Sequence, residues 1–113
     1  MDWGKVIFIF FSLGSLTSTA GFLWDPNVVI LFIALALNLI STTLKIGVKK
    51  QLASELLASS LVADFHLIPA FIFLQVFNNL SVSYVLIIGA LLANIFSLAL
   101  MLVESAKSVD SDY

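Results

Sequence analysis

Cysteine is absent from the 113 residues, so disulfides, thiolate nucleophiles and cysteine metal sites are excluded. Arginine is absent as well: the five basic residues are all lysines, set against seven acidic ones, for a net charge of -2. Without a basic stripe to neutralise phosphates, nucleic acid is excluded as a partner. Histidine occurs once, at His66. A lone imidazole and scattered carboxylates lack ligand spacing, so neither a metal nor a cofactor is expected. Nor is there a nucleophile-and-base arrangement or a phosphate loop, and an enzyme is not expected.

What the chain has in abundance is hydrocarbon. Apolar residues make up 61% of it and the mean hydropathy is +1.14, against roughly 45 to 50% apolar content in a soluble domain. Four apolar runs, Val6 to Trp24, Val28 to Ile46, Leu52 to Phe77 and Val82 to Val103, are each long enough to cross a hydrocarbon layer of about 30 Å as a helix that satisfies its own backbone. The expected fold is all-α, an integral-membrane four-helix up-down bundle. It forms one transmembrane domain over residues 1–113, with helices over about 5–24, 27–46, 52–77 and 82–104 and a polar, acidic tail over 105–113. "STAG" (Ser18 to Gly21) resembles a signal-peptide cleavage site, but the apolar run before it is long for a signal core.

Lysine placement sets the orientation, because lysines beside membrane spans stay on the cytoplasmic side. Lys5 precedes the first run, Lys45, Lys49 and Lys50 cluster at the second connection, and Lys107 follows the fourth run. With four spans all five fall on one side, which places both termini in the cytoplasm and "WDPN" and "NNLSVS" outside. Lys45, Lys49 and Lys50 are topology signals first, with contact to a lipid headgroup or a partner as a second role. Glu55 is expected to pair with one of them. In "DPN" the fixed φ of Pro26 suits the start of the second helix, Gly47 suits a helix end, and Ser81 can cap the fourth helix.

The middle of each run carries a polar residue. Symmetric placement across the bilayer puts Ser15, Asn38, Asp64 and Asn94 near one depth, with Ser12 and Thr19 on the face of Ser15. Along the second helix Ala34, Asn38, Ser41, Thr42 and Lys45 follow three- and four-residue steps and make one stripe. Gly89, Ala93 and Ser97, with Asn94 alongside, do the same on the fourth helix, and Gly14, Ser18 and Gly21 on the first. Small residues let helix backbones approach, and Asn and Ser bond across the gap. On the third helix Ser60, Asp64 and Gln75 project one way and Glu55, Ser59 and His66 roughly the other. Pro69 frees the carbonyl of Phe65, which a neutral His66 can use, and favours a kink beside both ionisable groups.

An ionisable group at the bilayer centre costs about 2.5 to 3.5 kcal/mol on insertion scales and faces the bundle interior or a wet cavity. Asp64, His66, Asn38, Asn94 and Ser60 are therefore the candidate ion path or intramembrane polar contact. The competing reading makes them only hydrogen-bonded glue between helices or subunits.

"STTLKIG", "ELLASSLVADFHLIPAF" and "ANIFSLAL" carry a resemblance to a family of small, uncharacterised four-helix bacterial inner-membrane proteins. The resemblance implies a place in the bacterial inner membrane and an accessory role beside potassium-uptake systems. Small multidrug exporters are of similar length, but they use a membrane-embedded glutamate in the first helix, where this chain has only Ser and Thr. The leading expectation is a small accessory subunit of an ion transport system, possible cargo being potassium, another monovalent cation or a proton. Its partners would be membrane lipid and either a larger transport protein or copies of itself. The alternatives are a self-assembled channel or proton-coupled transporter using Asp64, and a purely structural assembly factor.

Overall fold

The computed structural model describes residues 3–46 and 53–107. They form four helices, α1 (Trp3–Trp24), α2 (Val28–Ile46), α3 (Ala53–Gln75) and α4 (Leu80–Lys107), and no strand occurs among the described residues. All four are long and apolar enough to cross a membrane, with mean hydropathies from 1.8 to 2.5. The chain is thus built as a multi-pass membrane protein. Its long axis of 47 Å is close to a bilayer of about 40 to 45 Å, headgroups included.

Local chemistry places the helix ends. After Trp24 the chain turns through Asp25 and Pro26, and Asn27 caps α2 by accepting the amide of Val29 on Oδ1 at 2.8 Å. Asn27, rather than Pro26, therefore starts the second helix. Asn78 ends the third: its φ of 53° is left-handed, as at many helix C-termini, and the amide of Asn79 reaches back to the carbonyl of Phe73 at 2.8 Å, closing the end of the helix. Asn79 then accepts the amide of Val82 on Oδ1 at 3.2 Å. This overturns Ser81 as the cap, because α4 begins at Leu80 and Ser81 already lies inside its first turn. Pro69 lies within α3, which is helical on both sides of it. Gly47, Lys49 and Lys50 lie outside the described residues.

The helices close into a four-helix bundle, α1 packing on α2 and α4, and α3 likewise on α2 and α4. Large apolar side chains point outward: Trp24 is 92% exposed and Phe65 73%. Lipid tails are as apolar as leucine, so close packing and hydrogen bonds must hold such a bundle. Two apolar clusters fill its ends. Phe22, Leu31, Leu67 and Ile87 belong to the larger, and Phe8, Leu56 and Met101 form the smaller. Near the larger cluster the Tyr84 hydroxyl donates to the carbonyl of Leu23, and Ser83 donates to the carbonyl of Ala70 at 2.9 Å. The start of α4 is thereby tied to the end of α1 and to α3. Of the small-residue stripe on α1, Gly14 faces Leu37 but Gly21 meets open space, so close approach uses only part of it.

Candidate functional site

Between the two apolar clusters lies a buried polar layer to which every helix contributes. α1 supplies Ser15, α2 supplies Asn38, Ser41 and Thr42, α3 supplies Ser60 and Asp64, and α4 supplies Asn94 and Ser97. Ser15, Asn38, Asp64 and Asn94 sit near the middles of their helices, and the others lie within about a turn of them on the same faces.

A directed hydrogen-bond chain links all four helices. Asn94 Nδ2 donates to Ser15 Oγ at 3.4 Å, Ser15 Oγ donates to Asn38 Oδ1 at 2.6 Å, and Asn38 Nδ2 donates to Asp64 Oδ1. An amide nitrogen only donates and an amide oxygen only accepts, which fixes the direction of the whole chain. The second carboxylate oxygen accepts from Thr42 Oγ1 at 2.7 Å. Thr42 Oγ1 is also 2.6 Å from Ser60 Oγ and 2.9 Å from the carbonyl of Asn38. Asn38 further reaches the carbonyl of Ser60 at 3.5 Å, and Ser12 and Ser41 share a bond at 3.1 Å beside the layer.

Lys45 extends the same face of α2. It is only 4% exposed, and its ammonium lies 5.9 Å from the centroid of the Phe8 ring. Glu104 is buried as well, one turn beyond Met101 on α4. Among the described residues no group of three or more His, Asp or Glu is placed to hold a metal.

The structure brings Asp64, Asn38, Asn94 and Ser60 together but places His66 elsewhere. His66 Nδ1 donates to the carbonyl of Val62 at 2.8 Å, one turn back on its own helix. The imidazole thus bonds a backbone carbonyl, that of Val62 rather than the Phe65 carbonyl freed by Pro69. The rest of the ring lies on Gly89 of α4, where an added Cβ would come within 2.4 Å of His66 Cδ2. Asp64 and His66 thus face different partners. On that side α3 and α4 leave an apolar groove of about 500 Å³ lined by Ala58, Val62, Gly89 and Ala93, with Glu55 and Ser59 also at its wall. Ser59 turns its hydroxyl to the carbonyl of Leu56, and Gln75 is exposed at the end of α3.

Two members of the network were not among the candidates. Thr42 touches the carboxylate and Ser15 bridges α1 to α2, although the sequence carries both signals: Thr42 is one turn from Asn38, and Ser15 is the midpoint of its run. Nothing in the pattern marks Glu104, which sits at the end of an apolar run.

Residues 25–105 match the model of DUF6394, a family of unknown function, and the chain belongs to that family. The match takes in Asn38, Thr42, Ser60, Asp64 and Asn94 and leaves α1 with Ser15 outside. No curated protein and no solved structure matches the chain.

Proposed function

We propose that this protein is a small accessory subunit of an ion transport system in the bacterial inner membrane, the resemblance pointing to potassium uptake. It is an up-down bundle whose lysines hold both termini and the α2 to α3 connection on the cytoplasmic side. The observation that carries this reading is the chain from Asn94 through Ser15 and Asn38 to Asp64. Polar groups in a solitary conducting protein must be offered to the ion, whereas here the carboxylate is engaged by donors of its own chain. Such a layer fixes the mutual positions of four helices. The outward face it holds in place is apolar, suited to lipid and to a larger membrane protein beside it.

Asp64 itself favours the rival reading, a self-assembled proton-coupled transporter, because an acidic group at that depth is costly. Enzymatic activity forms no part of either reading. The test is native mass spectrometry of tagged protein extracted in mild detergent at native expression, together with flux measurements after deletion. The expected result is a stable complex with an ion transport protein whose flux falls on deletion. A homo-oligomer alone, conducting in liposomes and silenced by Asp64→Asn, would overturn the accessory role.

A further inference from the structure

We infer that Asp64 is a reversible proton-binding site, the Thr42 hydroxyl turning to serve either state of the carboxyl group while the bundle stays as it is. This goes beyond the accessory role and does not depend on it.

Counting hydrogens leads to the site. Thr42 Oγ1 has one hydrogen and three oxygens within reach, Asp64 Oδ2 at 2.7 Å, the Asn38 carbonyl at 2.9 Å and Ser60 Oγ at 2.6 Å, the last a hydroxyl that can donate in its turn. When Asp64 is ionised, Thr42 donates to Oδ2 and Asn38 donates to Oδ1, so both oxygens are satisfied. When a proton arrives, an O–H bond forms at Oδ2 and one breaks in hydronium, leaving water. The new O–H then donates to Thr42 Oγ1, and the Thr42 hydrogen turns to the Asn38 carbonyl. Ser60 Oγ, 2.6 Å from Thr42 Oγ1, donates to it in either state. The Asn94, Ser15 and Asn38 bonds remain as they were, because Oδ1 accepts throughout. No heavy atom has to move, and no buried polar group of this set is orphaned in either state.

The surroundings suit such a site. Lys45 is the buried cation on the same face of α2 as Asn38 and Thr42, α1 and α4 turn the neutral Ser15 and Asn94 toward this layer, and His66 faces Gly89 instead. A buried carboxyl group held only by fixed donors would be locked as a carboxylate. Here one of its two side-chain partners is a rotor that can accept as well as donate.

The experiment is infrared difference spectroscopy of the full-length protein in lipid nanodiscs, stepped between acid and alkaline pH. The expected result is a carboxylic C=O stretch that appears and disappears with pH, is missing in Asp64→Asn, and accompanies unchanged helical amide bands. Thr42→Val should move that stretch toward the frequency of an unbonded carboxyl, and Thr42→Ser should restore it. Asp64→Asn should also fold, since its Nδ2 donates to Thr42 as the protonated acid does. The inference is overturned by the absence of an Asp64-dependent band wherever the bundle is folded, by a band indifferent to Thr42→Val, or by an Asp64→Asn chain that does not fold.

Discussion

Asp64 and His66 stand two residues apart on α3, a step that turns a helix by about 200°, and the two faces they occupy are built on different principles. On the Asp64 face the partners are a hydroxyl and an amide from α2, and the bonds run on through Asn38 and Ser15 to Asn94. On the His66 face the polar partner is a carbonyl of the same helix, and the contact with α4 is a ring lying on Gly89. The first is a shared hydrogen-bond network, in which losing one member strands several others. The second is a steric fit, in which only size matters. An ionisable side chain in a membrane helix is thus no guide to chemistry by itself, because its partners decide.

The comparison is tested hardest at the centre of the network. Asn38→Leu removes the donor to Asp64 Oδ1 and the acceptor of Ser15, and a buried polar group left unpaired costs about 1 to 3 kcal/mol. The expected loss is about 2 to 3 kcal/mol in reversible unfolding from detergent micelles, the largest of any single change considered, although membrane hydrogen bonds average only about 0.6 kcal/mol. A loss no larger than that average would mean the layer is not what holds the helices. The His66 face is tested next by Gly89→Ala. The added Cβ would lie 2.4 Å from His66 Cδ2 and 2.7 Å from Nε2, so the ring or the helix must give way, at about 1 to 3 kcal/mol for overpacking. In a His66→Ala background the same change should cost much less, and a double-mutant cycle would measure the coupling. Equal costs in both backgrounds would show that the imidazole is not what Gly89 accommodates.

The large polar groups of the interior were more legible than the hydroxyls and the helix caps, for a physical reason. Asn38, Asp64 and Asn94 are large polar groups at the centres of apolar runs, and hydrocarbon offers them no partners, so they must turn toward one another. The three- and four-residue steps along α2 identify the face that does so. Thr42 and Ser15 belong to the same pattern, but a hydroxyl in a membrane helix can satisfy itself on the carbonyl a turn back, as Thr19 does on Ser15 at 2.7 Å. Residue type alone therefore did not single them out. His66 took just such a local partner. The caps were legible only to within a turn, since Asn79 and Ser81 are both competent caps and the left-handed Asn78 decides between them.

The smallest effect belongs to His66→Gln. Glutamine keeps a donor on a flexible side chain, is a somewhat better helix former than histidine, and removes the ring from Gly89 without leaving a charge or a buried polar group stranded. The structure gives the imidazole one bond, to the carbonyl of Val62 within its own helix. A carbonyl only accepts, so Nδ1 carries the hydrogen and the ring needs no partner from α2 or α4 to be satisfied. The expected change is below about 1 kcal/mol, with complex formation and any associated ion flux at the wild-type level. Abolished flux with the fold intact would instead mean that the imidazole does chemistry, and the two faces of α3 would then have to be joined in one ion path.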